Sequence, residues 1–269
     1  MAYLFKYGKG KRFLLMFLVM FIPCSIPAYY FPLSDYITML IEFPSLSFPK
    51  WSALWLASFN TSYYAWIALA VAMIVFTPIL AYVTTIITRH IRIGRFTMPN
   101  LFKAVNENFF AGISVVVFSL AIIFIFHLIY TLLLYMWMQI ASKIFGLILG
   151  IITFALVLLA ATYVLSATLL WLPTMSFTGA YILPALSSAF YKSRNYQRYF
   201  FVPALGAVSI AVAVSVVCHF LRDIWYVKWI LTSVMYTSYI VFTVTFGLIS
   251  YCEAESVKRE DLTNTYFGR

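Results

Sequence analysis

Long runs of hydrophobic positions, separated by short polar and basic segments, dominate the pattern of this chain. The runs are continuous and lack the in-out alternation of strands in a membrane barrel. About 20 consecutive apolar residues are enough for a helix to cross a bilayer. The pattern therefore predicts an all-α protein, a polytopic transmembrane helical bundle of six spans. The predicted spans cover residues 13–31, 64–88, 109–137, 144–171, 200–221 and 229–251.

The segments between the runs predict how the spans are connected within a single integral membrane domain, residues 1–269. Residues 32–63 contain proline and charged residues and are interpreted as an external loop. Within it, Trp51 and Trp55 are four residues apart, which predicts a short helix lying in the interface with both rings on one face. The charged residues 252–269 are interpreted as a cytoplasmic tail. The basic start of the chain is compatible with a signal peptide, but we expect an uncleaved first span because no small-residue cleavage site follows.

Composition excludes a soluble domain. The chain is 64% hydrophobic and only 10% charged, whereas soluble domains carry about 25% charged residues. The net charge of +10 would be compatible with nucleic acid binding in a soluble protein. Here the basic residues lie between the spans, so we expect contact with membrane lipid and no nucleic acid partner.

The distribution of lysine and arginine predicts the orientation. If the connections alternate between the two sides, 14 of the 18 basic residues fall on one side and four on the other. An excess of Lys and Arg marks the cytoplasmic side. Both termini are therefore predicted to be cytoplasmic, and the protein is predicted to lie in a bacterial plasma membrane.

Two basic segments are candidate contacts for a protein partner or for lipid. Residues 99–107 have helical amphipathic spacing, and a helix from residue 99 to 137 would exceed the hydrocarbon core, so its first turns should lie outside it, with a bend near Gly112. This amphipathic start could dock a partner as coupling helices of permeases do, or the basic residues could only set topology. His90 lies among them and is expected to be solvated. The candidates are Arg89, Arg92, Arg95, Lys103, Lys192, Arg194 and Arg198.

Signatures of catalysis are scarce. The sequence contains no G-x-G-x-x-G, P-loop, H-E-x-x-H or G-x-S-x-G motif, and its three cysteines form no C-x-x-C pair. Carboxylates lie outside the spans or at their ends, which argues against ion-coupled transport. We therefore expect no catalytic residues, no metal and no cofactor.

His127 is the one titratable group that the pattern places within a span, about one turn before Tyr130 and Thr131. One interpretation is a pore-facing or ligand-binding imidazole that acts with these two hydroxyl groups. The other is a neutral histidine that bonds to a neighbouring helix. These three residues are the ligand or pore candidate.

An internal duplication is suggested by two similar segments, residues 108–110 (NFF) and 199–201 (YFF), each of which follows a basic stretch. This similarity raises the hypothesis of a 3+3 pseudo-repeat.

The order of features also resembles a known family. A Thr77-Pro78 pair lies in the second span, FKAVNENF opens the third at 102–109, and LPALSSAF precedes the fifth at 183–190. Together they are similar to the YesL-like bacterial membrane proteins over about residues 64–255, although the long loop 32–63 departs from that pattern. The resemblance implies an association with sugar-transport systems and assigns no functional residues.

Three functions are compatible with these observations. The first is a non-enzymatic accessory or assembly subunit of a bacterial transport or envelope system, partnered by a transporter or another membrane protein. The second is a permease for a neutral or weakly polar small solute. The third, a lipid-active enzyme, is disfavoured because acids, histidines and nucleophiles do not cluster.

Overall fold

The computed structural model describes residues 10–32, 34–42, 50–57, 62–93, 100–140, 143–221 and 223–255. Within these ranges every regular element is an α-helix, which confirms the predicted all-α class. The helices are α1 (Gly10–Tyr30), α2 (Ser34–Glu42), α3 (Trp51–Ala57), α4 (Tyr63–Ile93), α5 (Leu101–Ile140), α6 (Lys143–Ala167), α7 (Trp171–Thr178), α8 (Ile182–Phe220) and α9 (Trp225–Ala254).

The described residues include five helical stretches that are long and apolar enough to cross a membrane, so the chain is an integral membrane protein. The five stretches are Tyr63–Ile91, Asn108–Gln139, Ile144–Thr178, Ile182–Phe220 and Trp225–Ala254. The apolar part of α1, Leu14–Tyr30, is shorter.

Among the described helices, α4 and α5 share the most extensive contact, and they run antiparallel. The carbonyl oxygen of Thr77 lies 3.5 Å from the position that a Cβ on Gly112 would occupy. Further along, Thr85 of α4 reaches the backbone of Ala104 in α5. Helix α5 is one continuous helix of 40 residues, or about 60 Å at 1.5 Å per residue.

Helix α1 crosses α9 and also packs against α4. Its buried residues Met16, Met20, Cys24 and Ala28 recur every four positions and so share one face. At the end of α1, the Tyr236 hydroxyl donates to the Phe31 carbonyl at 2.7 Å, which satisfies an acceptor that has no partner within the helix.

A sharp connection joins α7 to α8. Gly179 caps α7 in the left-handed region with φ 66°, and its N–H donates to the Met175 carbonyl. Glycine suits this position because a Cβ would strain a positive φ. The Trp171 indole then donates to the Ile182 carbonyl at 3.0 Å, so the start of α8 is fastened to α7.

The structure also assigns helices to segments that the sequence did not predict as helical. Residues 172–199, between two predicted spans, form most of α7 and the first half of α8. Pro184 is tolerated because it occupies the first turn of α8, where its missing N–H has no intrahelical acceptor. In the segment 32–63, predicted as an external loop, α2 was also not predicted, whereas α3 lies where Trp51 and Trp55 predicted a short helix.

Candidate functional site

The predicted ligand or pore residues lie together in a buried cluster on α5. His127, Tyr130 and Thr131 are all buried. The Thr131 hydroxyl lies 3.1 Å from both the His127 and the Leu128 carbonyl oxygens, the usual local arrangement for a helical threonine. The Tyr130 ring packs edge-on against Phe154 of α6, with centroids 5.7 Å apart. The three side chains therefore face neighbouring helices.

Helix α3 lies directly over this cluster. The Trp51 indole N–H donates to the Thr131 hydroxyl at 3.3 Å, and the Trp55 ring meets Phe124 edge-on at 5.5 Å. Leu54 is 1% exposed and packs into an apolar group with Tyr130 and Leu134. The spacing of Trp51 and Trp55 predicted that one face of a short helix would carry both rings, and this face contacts α5.

The described contacts of Tyr130 and Thr131 are with residues of α3, α5 and α6. The hydroxyl of Thr131 is engaged by its own helix and by Trp51, and Tyr130 belongs to an apolar group. Polar side chains in a membrane bundle commonly bond across helices in this way. The cluster therefore stabilises the contact between α3 and α5 through a hydrogen bond and apolar packing.

A second polar contact, between α4 and α5, was not predicted. The Asn108 side-chain amide donates to the Thr85 hydroxyl at 2.8 Å. That hydroxyl lies 2.9 Å from the Ala81 carbonyl and 3.3 Å from the Ala104 carbonyl, so it bridges the two helices. Both side chains are buried. The amphipathic spacing of residues 99–107 could have indicated that Asn108 lies on the buried side, but it could not identify Thr85 as its partner.

His90 differs from its expectation, because it is buried. Helix α4 continues through the first part of the predicted basic connector, so His90 follows Ile86 by one turn on the packed side of the helix. The basic residues around His90 in the sequence predicted that it would be solvated. Its burial instead follows from its position on the packed side of α4.

The first turns of α5 combine a fixed inner face with an exposed outer face. Asn100 caps the helix, since its side-chain oxygen accepts the Phe102 N–H at 3.1 Å. Ala104 is buried against α4, whereas Phe102 is 85% exposed and Lys103 is also exposed. An exposed phenylalanine beside a lysine on an anchored helix end is a candidate contact surface.

The basic residues of the first segment lie at the end of α4 and beyond it. Arg89 is partly buried, and Arg92 belongs to the last turn of α4. Arg95 lies outside the described residues. Since α5 begins at Leu101, Lys103 stands beside this end of α4.

The basic residues of the second segment occupy the first half of α8 and differ in their surroundings. Lys192 pairs with Glu255 at 2.6 Å, and its ammonium group also lies 5.2 Å from the centroid of the Tyr251 ring. Arg194 and Arg198 are exposed. Lys192 therefore fastens α8 to α9, while the two arginines face outward.

The segment between α1 and α4 also contacts the far end of α8. Thr38 of α2 and the Nδ1 atom of His219 share a hydrogen bond of 2.8 Å. Partial burial of Asp35 raises the pKa of its carboxyl above the ordinary value, and the nearby Lys228 ammonium and Ser34 hydroxyl act in the opposite direction. These contacts attach α2 to the helices beside it.

Among the described residues, no group of three His, Cys, Asp or Glu side chains could hold a metal ion. The three cysteines are free and buried. No protein-family model, no curated protein and no solved structure matches the chain.

Proposed function

We propose that this integral membrane protein is a non-enzymatic accessory or assembly subunit of a bacterial transport or envelope system, related to the YesL-like proteins. In this proposal it docks a membrane-protein partner through the first turns of α5. The observation that carries the proposal is the exposure of Phe102, at 85%, beside the exposed Lys103.

The way in which this surface is held supports a docking role. The Asn100 cap and the contact between Asn108 and Thr85 fix the helix on its inner side. A partner therefore meets a surface that is already ordered, which lowers the entropic cost of binding. Large aromatic side chains such as Phe102 supply much of the apolar area that stabilises interfaces.

The proposal includes six spans with both termini in the cytoplasm of a bacterial cell. The apolar part of α1, Leu14–Tyr30, is about 26 Å long. Spans contain about 17–25 predominantly apolar residues, so this part lies at the lower end of the range for a sixth span. The excess of basic residues on one side supports this orientation. It places Lys103, Lys192, Arg194 and Arg198 on the cytoplasmic side.

A cross-linking experiment with a matched control tests the docking surface. A photo-crosslinking amino acid at position 102 should capture one defined membrane protein in native membranes. The same protein should co-purify with the tagged wild-type chain and should be lost with the double variant Phe102→Ala/Lys103→Gln. The control, Tyr63→Ala/Lys50→Gln, removes an exposed aromatic ring and an exposed lysine away from this surface and should keep the partner.

Two outcomes would contradict the docking proposal. Equal recovery of the partner with both double variants would show that Phe102 and Lys103 do not form the contact. Solute uptake by the purified chain alone in liposomes would instead establish the permease function.

Reporter insertions test the orientation separately. A periplasmic reporter inserted beside Lys143 should be active, and the same reporter after residue 255 should be inactive. A reporter that is active after residue 255 and inactive beside Lys143 would show that the orientation is the reverse of the proposed one. This outcome would not affect the cross-linking result.

A further inference from the structure

We infer that the outward face of α8 around Arg194 and Arg198 binds the phosphate headgroups of anionic phospholipids. This inference concerns a different surface from the docking surface on α5 and does not require a protein partner.

The two arginines lie at the depth of the headgroups along α8. Helix α8 has 39 residues and is about 58 Å long, roughly twice the thickness of the hydrocarbon core. The apolar run begins at residue 200, so Arg198 lies about 3 Å and Arg194 about 9 Å before it along the axis. The headgroup region on each side of a bilayer is about 5–8 Å thick. Arg198 therefore lies within the headgroup region. Arg194 lies at its outer edge, and its long side chain can reach the lipid phosphates.

The two arginines share one face of α8 with exposed aliphatic residues. Steps of three and four residues lead from Tyr191 through Arg194 and Arg198 to Val202, and from there to Ile210, so these residues share one face. All five side chains are exposed. The aliphatic part of this face belongs to a predicted span, where exposed side chains contact acyl chains. The arginines therefore face the headgroups of the same lipids.

The positive charge on this face of α8 has no carboxylate partner among the described residues. Lys192, on another side of the helix, pairs with Glu255. The structure gives Arg194 and Arg198 no carboxylate partner among the residues that it describes. A guanidinium group can bind phosphate oxygens in a bidentate manner. Anionic phosphate supplies the charge that this face lacks.

The aromatic neighbours favour a lipid over an acidic protein. Tyr191 is 77% and Tyr199 is 73% exposed, and they lie on either side of Arg194 and Arg198 along the helix. Tyrosine is enriched at membrane–water interfaces, because its ring is apolar and its hydroxyl group remains hydrated. A face that places tyrosines and arginines directly above exposed aliphatic residues matches the layers of a bilayer.

Lipid selectivity in bilayers of defined composition tests this inference. The purified full-length chain is reconstituted in phosphatidylcholine with spin-labelled phosphatidylglycerol or phosphatidylcholine, and electron paramagnetic resonance gives the preference for the anionic lipid. Each basic residue near the surface contributes about 1 kcal/mol, or roughly fivefold. The variant Arg194→Gln/Arg198→Gln removes two such residues and should therefore lower the preference at these sites by roughly 25-fold. The preference of the wild-type chain should also fall at high salt.

Two controls separate this site from general charge and from misfolding. The variant Lys50→Gln removes an exposed charge elsewhere and should keep the preference. Arg194→Lys/Arg198→Lys keeps the charge and should retain most of it, which would show that the positions tolerate substitution.

Either of two results would overturn the inference. One is an equal loss of preference with the Arg194→Gln/Arg198→Gln variant and the Lys50→Gln control. The other is an unchanged lipid preference together with the loss of a dimer or of a bound protein, which would assign this face to a protein contact.

Discussion

Gly247 of α9 lies close to the connection between α6 and α7 and allows a single-residue test of this packing. A Cβ built on Gly247 of α9 would lie 2.9 Å from the carbonyl oxygen of Leu169 and 3.5 Å from side-chain atoms of Leu169 and Pro173. The nearest atom belongs to the backbone between α6 and α7, so it cannot move away by a rotamer change. Gly247→Ala should therefore push α9 away from α7.

The magnitude follows from two opposing effects. Replacing glycine with alanine within a helix gains up to about 1 kcal/mol of helix propensity. Inserting a methyl group into a closely packed contact costs about 1–3 kcal/mol. We expect a net destabilisation of up to about 2 kcal/mol, and each kcal/mol lowers the Tm by roughly 2–4 °C for a chain of this size.

Gly206 of α8 provides the matched control, because a Cβ there would meet no atom within 4 Å. Gly206→Ala should keep or raise the Tm. The assay uses the three free and buried cysteines, which react with a thiol-specific fluorescent dye only when the protein unfolds in detergent. If Gly247→Ala unfolds at the same temperature as Gly206→Ala, the close packing of α9 against the connection between α6 and α7 is wrong.

Three further substitutions test other contacts with the same thermal assay. Leu54→Ala leaves a cavity between α3 and α5 and should lower the free energy of unfolding by about 2–5 kcal/mol. Leu56 is half exposed on the same helix, so Leu56→Ala should lower it far less. Equal losses would refute the packing of α3 on α5. A double-mutant cycle of Asn108→Ala and Thr85→Val should give a coupling of about 0.6–2 kcal/mol, and a coupling of zero would refute the bridge between α4 and α5. Gly179→Ala should lower the free energy of unfolding by about 1–2 kcal/mol, because the positive φ at this position disfavours a Cβ. Gly179→Asn should lower it less. An alanine variant as stable as the wild-type chain would argue against the left-handed cap.

The comparison of sequence and structure is clearest along α8. The sequence predicted a span at 200–221, because only that part is continuously apolar. The helix itself begins at Ile182, since its polar first half is held by contacts that are remote in sequence, such as the ion pair between Lys192 and Glu255. Hydrophobicity reports the part of a helix that prefers lipid, and it does not report where the helix begins.

In the candidate site, too, the sequence predicted local features but not the contacts between remote segments. The sequence brought His127, Tyr130 and Thr131 together because they lie about one turn apart on a single helix. It also placed Trp51 and Trp55 on one face. It could not show that these two groups meet, because 80 residues separate Trp51 from Thr131.

The sequence by itself determined that the chain is helical and lies in a membrane, because both properties depend on local apolar runs and their length. Only the tertiary structure decided which polar side chains are enclosed between helices and which remain outside. Thr85 with Asn108 and Trp51 with Thr131 became partners, while Phe102, Arg194 and Arg198 stayed exposed. The physical reason is that helix periodicity assigns each residue to a face, whereas the contact that covers a face depends on residues far away in the chain.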